Sequence, residues 1–370
     1  MYGLELSGLF SISIAITGPL FMFFNMQLKW LIATENTHYS FEEFLSVRIS
    51  TSIIAVLLGI FIFIISSNTN LVYFFICIST FKFFESISEI PYGFFQRQEY
   101  FKLIFLFSIF KAVGIFLILS IDFLFKLSSN IIFYISILYA SSLFIEIYIV
   151  NRRSKIVLKN ISTELILNKI KKSWKYGIVS FLISLKTNIP RYFLSVIGLE
   201  KLAIFSSLNY LNYGSNFLFS SLGEVSNVRI SKTNNSPFKT IYNFITLSFL
   251  YSLIFFLIFI LFENEIMFLM FGKNLTISLI FSTSVFLSGF TSITVLIVQN
   301  YFMVYRFSNN LLMYNFLEIL ALLIFFSLNH LFFNLGMDVI LFIPILISSI
   351  FAVLSFISLK TKYKNYVNEY

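Results

Sequence analysis

The sequence predicts an all-α polytopic membrane protein with eleven transmembrane helices, and three observations carry that expectation. Of 370 residues 58% are apolar, including 51 Phe, and the mean hydropathy is +0.89. Only 12% are charged, against about 25% in a soluble domain. The charges are also spaced so that uncharged stretches long enough to cross a bilayer recur from end to end. An apolar excess spread along the whole chain excludes a soluble fold with a single anchor, and it excludes disorder, collagen and coiled coil together.

Crossing the ~30 Å hydrocarbon core takes about 20 residues of helix, because each backbone group must be paired without water. Between Glu5 and Lys29 lie 23 uncharged residues. The 33 between Arg48 and Lys82 are divided by the turn-forming run Ser66-Ser67-Asn68-Thr69-Asn70. Later stretches repeat the pattern: 23 between Lys239 and Glu263, 32 between Lys273 and Arg306, and 21 between Asp338 and Lys360. The expected spans are 8–28, 49–65, 71–90, 103–121, 128–149, 176–198, 203–223, 241–262, 276–300, 309–329 and 339–358.

Basic residues set the orientation, since cytoplasmic loops hold the excess of Lys and Arg. One set of alternate loops, with the C-terminal tail, carries 19 of them; the other carries three, Lys126, Lys201 and Lys273. The C-terminus is therefore expected in the cytoplasm. Eleven spans then put Met1 outside with no preceding signal, and one further helix upstream would bring both ends inside. The longest polar loop, 151–175, holds Arg152, Arg153, Lys155, Lys159, Lys169, Lys171, Lys172 and Lys175. Its Ile166, Ile170 and Trp174 recur at i, i+4, i+8, which predicts a surface helix on anionic lipid. This loop divides the chain into an N-terminal bundle of five spans (1–150), a cytoplasmic basic amphipathic linker (151–175) and a C-terminal bundle of six (176–370). Counting the upstream helix, the arrangement is a twelve-helix, two-bundle fold minus its first helix.

Charges inside a bilayer are functional candidates because burying them unpaired costs several kcal/mol. Lys82, Glu85 and Glu89 share a face of the third span at i, i+3, i+7; Lys82 and Glu85 neutralise each other, or Glu85 or Glu89 holds a proton or sodium ion. Lys111, at mid-depth with no charge within a turn of its own helix, is expected to face a wet cavity. The sixth span contains Lys186-Thr187-Asn188-Ile189-Pro190-Arg191, where Pro190 lacks an amide hydrogen and opposes the carbonyl of Lys186. Either a cavity exposes Lys186 and Arg191, or they snorkel or bridge to Glu224 or Glu318. Gly18-Pro19 is a hinge candidate in the first span, and Glu224 and Glu318 read first as capping or pairing groups. No metal site is expected: Cys77 stands alone, and His38 and His330 lie almost three hundred residues apart. The net charge of +9 is a loop asymmetry and does not point to nucleic acid. No Gly-rich phosphate loop is present, so ATP hydrolysis by the chain itself is not expected.

Several segments, in order along the chain, resemble the O-antigen and polysaccharide flippases of the multidrug/oligosaccharidyl-lipid/polysaccharide exporter superfamily. They are Tyr2-Gly3 with Ala15-Ile16-Thr17-Gly18-Pro19 and Leu28-Lys29; Phe41 to Arg48; Tyr92-Gly93-Phe94-Phe95-Gln96-Arg97; and Asn188-Ile189-Pro190-Arg191-Tyr192. The resemblance implies twelve helices in two bundles, with the first helix absent here. It implies translocation of an undecaprenyl-pyrophosphate-linked oligosaccharide, an O-antigen or capsule repeat unit, across the bacterial inner membrane by ion-coupled alternating access. Lys29, Arg48, Lys111, Lys186 and Arg191 would form a cationic substrate site, Glu85, Glu89 or Glu224 would couple an ion, and Gly18, Pro19 and Pro190 would hinge. Lys29 stands where relatives commonly carry arginine. Such transport needs no covalent chemistry and no cofactor; membrane lipids, polysaccharide polymerase and chain-length machinery would be the partners. The competing readings are an integral-membrane O-antigen polymerase, disfavoured by short outer loops, and a drug or lipid-precursor exporter of the same superfamily.

Overall fold

The computed structural model describes residues 4–34, 41–66, 69–125, 131–154, 163–232, 238–271, 278–305, 307–329 and 337–369. Tyr2-Gly3, His38, Ser67, Asn68, Lys126, Lys155, Lys159, Lys273 and His330 lie outside the described residues, as does the side chain of Glu224. Among the described residues, helix is the only regular structure, as a chain solvated by lipid requires.

Among the described residues, eight helical stretches are long and apolar enough to cross a membrane: Ser7–Thr34, Phe41–Ile62, Phe101–Phe125, Ile131–Arg152, Phe238–Leu261, Ser282–Phe302, Ser308–Leu328 and Phe342–Lys364. The other three expected windows, 71–90, 176–198 and 203–223, fall on helices of 29, 35 and 34 residues whose length suffices but whose faces carry more polar groups. Burial is inverted relative to a soluble protein. Phe105, Phe116, Phe123 and Leu253 are exposed, whereas Arg48, Ser142 and Glu146 are fully buried. Ser46, Ser120, Ser136 and Thr246 return their hydroxyl protons to the carbonyl four residues back, which satisfies them where no water competes.

The chain divides into two compact units, Ile12–Ser184 and Leu185–Tyr370 with Met1–Ser11. In the Ile12–Ser184 unit, α4 (Thr69–Arg97) packs against α2 (Leu28–Thr34), α3 (Phe41–Ser66), α5 (Phe101–Phe125) and α6 (Ile131–Ser154). Glu42 and Glu43 open α3, where the partial positive charge of a helix start favours carboxylates. α4 closes in a Schellman turn: Tyr100 donates to the Phe95 carbonyl at 2.8 Å and Glu99 to that of Gln96 at 3.0 Å, with Glu99 left-handed at φ 60°.

α1 (Leu4–Asn25) stays helical through Gly18-Pro19. Its interruption lies downstream, where Met26 and Gln27 take φ of 48° and 51° before α2 begins. Two consecutive non-glycine residues in this region are costly and persist only when surroundings hold them. One face of α7 (Thr163–Ile197) supplies that hold. Ile166 and Ile170 pack on the buried cluster of Met26, Phe41, Phe44 and Phe94; further along, Ser173 meets the Met26 sulfur at 3.5 Å and Gln27 donates to Ser180 at 2.8 Å. The structure thus differs from the expected lipid-facing stripe. Ile166 and Ile170 face protein, while Trp174, Lys171, Lys172 and Lys175 are exposed, because 163–197 is one helix whose inner face is already engaged by the α1–α2 break.

Gly177 sits on the same seam, and a Cβ there would come 2.6 Å from the Phe23 carbonyl oxygen. Gly177→Ala is expected to destabilise the protein by about 1–3 kcal/mol, because the obstacle is backbone rather than a movable side chain. A thermal shift of the purified protein indistinguishable from wild type would contradict this.

In the unit of Leu185–Tyr370 with Met1–Ser11, α11 (Leu279–Val304) is the central element. It packs against α8 (Leu199–Lys232), α9 (Phe238–Leu261), α12 (Ser308–Leu328) and α13 (Met337–Glu369). Phe286 on α11 is surrounded by Phe255, Phe256 and Phe259 at 5.2–5.5 Å between ring centroids. Phe193 stacks on Phe326 at 4.3 Å, joining α7 to α12. α10 (Glu263–Phe271) extends α9 after a one-residue turn.

Candidate functional site: buried charge clusters in each unit

Three groups of buried charge stand out. The first joins α1, α3 and α4. Arg48, fully buried, donates from Nη1 to Asn25 Oδ1 at 2.7 Å and from Nη2 to Glu89 Oε2 at 3.0 Å. Asn25 Nδ2 reaches Glu89 Oε1 at a long 3.5 Å. The Glu89 side chain is 35% exposed, so the carboxylate is the open side of a pair whose cation is sealed. Lys29, Lys82 and Glu85 also act on Glu89 electrostatically. Lys82 and Glu85 themselves pair at 2.5 Å along α4.

The second group holds Lys111. Its Nζ lies 2.8 Å from Glu146 Oε1, with the Lys111 side chain 7% exposed and Glu146 fully buried. The ammonium also donates to Tyr92 Oη at 3.1 Å and Ser88 Oγ at 3.3 Å, and it lies 4.9 and 4.8 Å from the ring centres of Tyr92 and Tyr139. Ser142 donates to the same carboxylate oxygen of Glu146 at 3.0 Å. α4 serves both groups: Glu85, Ser88, Glu89 and Tyr92 are spaced i, i+3, i+4, i+7 on one stripe, Glu89 meeting α3 and Ser88 and Tyr92 meeting α5.

The third group belongs to the other unit. Lys186 Nζ lies 2.7 Å from Glu318 Oε2, and Ser348 donates to Glu318 Oε1 at 2.7 Å, so α7, α12 and α13 converge on one carboxylate. Arg191, buried, donates to Asn188 Oδ1 at 2.8 Å one turn back. Its guanidinium lies 5.6 Å from the ring centre of Tyr210. α7 remains helical past Pro190. Nearby polarity continues in Gln299, which donates to Asn315 at 3.0 Å.

The structure therefore brings Arg48 together with Glu89, gives Lys111 and Lys186 buried carboxylate partners, and leaves Lys29 half-buried. Glu146 escaped sequence reasoning although a signal existed. It is a carboxylate two to three turns from the end of α6, and Lys111 is two to three turns from the start of α5. Consecutive antiparallel helices bring such positions to one depth. Among the described residues no three His, Cys, Asp or Glu side chains converge as a metal site would require.

Helical architecture and buried intramembrane charge define a multi-pass membrane protein of transporter fold. Solved structures of transporters share this fold. A MOP-superfamily transporter from Pyrococcus furiosus aligns at TM-score 0.67 with 13% identity, covering 97% of this chain and 88% of that one. A multidrug resistance MATE transporter of the MOP superfamily, in its outward-facing conformation, aligns at 0.63 with 14% identity, covering 98% and 85%. A eukaryotic MATE transporter aligns at 0.63 with 14% identity, covering 98% and 87%. The chain belongs to the polysaccharide biosynthesis protein family, whose model matches residues 1–233. It is also 31% identical over 216 residues to CapF, a capsular polysaccharide biosynthesis protein of Staphylococcus aureus; the match covers 55% of this chain and 52% of CapF, so the chain spans about half the length of that curated relative.

Proposed function

We propose that the protein translocates an undecaprenyl-pyrophosphate-linked oligosaccharide, an O-antigen or capsule repeat unit, across the bacterial inner membrane by ion-coupled alternating access. The observation that carries the reading is a set of buried cations, Arg48, Lys111, Lys186 and Arg191, on the helices of a polysaccharide-biosynthesis protein. Cations kept at membrane depth need a reason, and an anionic diphosphate is one. Arg48 and Arg191 suit it best, since guanidinium binds phosphate oxygens in pairs and holds its charge at any accessible pH. Lys29 completes the cationic set; Glu85, Glu89 and Glu224 are the coupling candidates; Gly18, Pro19 and Pro190, carried within continuous helix in α1 and α7, are the points at which those helices would bend during transport. The reading takes eleven spans, an N-terminal bundle of 1–150, a basic linker of 151–175, a C-terminal bundle of 176–370 and a cytoplasmic C-terminus. Transport of this kind makes and breaks no covalent bond, so it is not an enzyme activity. Membrane lipids surround it, and polysaccharide polymerase and chain-length machinery receive its product.

The test is surface polymer in a polysaccharide-negative strain deleted for its own flippase. Expression of the chain with its upstream codons restored is expected to restore polymer, and Arg191→Ala in that form to lower it about tenfold or more at unchanged protein level, the cost of a charged hydrogen bond to phosphate. Full export by Arg191→Ala would remove Arg191 from the cargo site.

A further inference from the structure

We infer that Glu89 occupies the phosphate position of Arg48, and that cargo binding exchanges this carboxylate for a phosphate while Glu89 takes up one proton. The inference rests on the proposed anionic cargo and deepens it, by naming the coupling ion and the residue that carries it.

The geometry of the guanidinium is the starting point. Arg48 offers its two terminal nitrogens to two oxygens from different side chains, Asn25 Oδ1 at 2.7 Å and Glu89 Oε2 at 3.0 Å. The contact with Glu89 is single, and Nε of Arg48 is buried with no hydrogen-bond partner among the described residues. A carboxylate touching Nη2 alone uses half of that edge. A phosphoryl group presenting two oxygens would take Nη2 and Nε together, the side-on arrangement that makes arginine–phosphate contacts strong. Exposure has the matching asymmetry: Arg48 is sealed by protein and Glu89 is 35% exposed, so the carboxylate is the partner that a ligand reaches and displaces.

The fate of the displaced carboxylate follows from its neighbours. From α2 the charged group acting on it is Lys29, from α3 Arg48, and from α4 Lys82 and Glu85; Lys82 is already paired with Glu85. With a diphosphate on Arg48, Glu89 would hold a second negative charge beside the first, and like charges at one buried site are relieved by protonation. Bulk water supplies the proton and the carboxylate becomes a neutral acid. Asn25 is indifferent to the exchange, since its amide can turn either oxygen or nitrogen toward whatever fills the fork.

The sign is fixed by linkage. If ligand binding takes up a proton, affinity rises as pH falls, by up to about tenfold per pH unit for one proton. The experiment uses the full chain in lipid nanodiscs and an isoprenyl-diphosphoryl-N-acetylglucosamine probe, whose phosphate diesters do not titrate near neutral pH. Binding is measured across pH by calorimetry in two buffers of different ionisation enthalpy, which counts protons directly. Wild type is expected to bind more tightly as pH falls, with close to one proton taken up per probe. Glu89→Gln is expected to bind with little pH dependence and at alkaline pH more tightly than wild type. A wild type that binds without proton uptake, or a Glu89→Gln variant that keeps the wild-type slope, overturns the exchange and spares the cargo reading. No binding by wild type at any pH overturns both. The proton count on wild type decides the matter even if the variant fails to fold.

Discussion

Glu146→Ala is expected to lower the stability of the protein by roughly 3–5 kcal/mol, the usual cost of removing one partner from a buried ion pair. Lys111 is 7% exposed and Glu146 is fully buried, 2.8 Å apart. With the carboxylate gone, the ammonium keeps Ser88, Tyr92 and the two tyrosine rings. These are dipoles and quadrupoles, and they offset only part of an uncompensated charge. Lys111→Ala is expected to cost nearly as much, because it leaves the buried carboxylate with neutral hydroxyl partners, Ser142 and Tyr92, and no cation. The double replacement Lys111→Met with Glu146→Leu should recover most of the loss, since no charge then remains to be desolvated. Thermal unfolding of the purified protein gives all three values, and making Lys111→Met and Glu146→Leu singly as well closes a double-mutant cycle that isolates the pair. Additive losses, with the double variant no better than the singles summed, would show that the two side chains act independently.

Much of the helical layout was legible in the sequence because membrane spans advertise themselves by length and composition. Eight of the expected windows fall on helices that satisfy both criteria. The candidate charges were equally visible, since a Lys or Arg at depth is conspicuous in any apolar run. Their partners were not. Lys186 meets Glu318 132 residues away, and no periodicity within one helix encodes which distant helix lies alongside. Lys111 reads as solitary on its own helix and needs depth matching with α6 to find Glu146. The α1 break illustrates a different blindness. Gly18-Pro19 is the local signal for a hinge, yet α1 runs on to Asn25 and the chain turns at Met26-Gln27. Neither residue favours a left-handed backbone, so the turn is imposed by the seam with α7, where Gly177 admits the Phe23 carbonyl and Ser180 accepts from Gln27. The same seam explains Ile166 and Ile170, whose spacing showed an apolar face without showing whether lipid or protein covers it.

Lys186 poses the sharpest conflict between structural and transport roles, and a charge exchange separates them. Its ammonium lies 2.7 Å from Glu318, which Ser348 also holds at 2.7 Å. Glu318→Ala and Lys186→Ala are each expected to cost roughly 3–5 kcal/mol, for the reason that applies to Lys111 and Glu146. The exchanged variant, Lys186→Glu with Glu318→Lys, keeps one cation and one carboxylate across the same α7–α12 contact and is expected to regain most of that stability. Its transport should not follow. Exchange moves the positive charge from α7, where Arg191 lies five residues on, to α12, and it puts a carboxylate where the proposed cargo would present phosphate. Export is therefore expected to stay at least tenfold below wild type at normal protein level, given about 1.5–3 kcal/mol for a hydrogen bond to a charged group. Melting temperature and surface polymer measured on the same three variants distinguish the roles. Export recovering in step with stability would make Lys186 a strut between α7 and α12, leaving Arg191 to carry the anion in this unit.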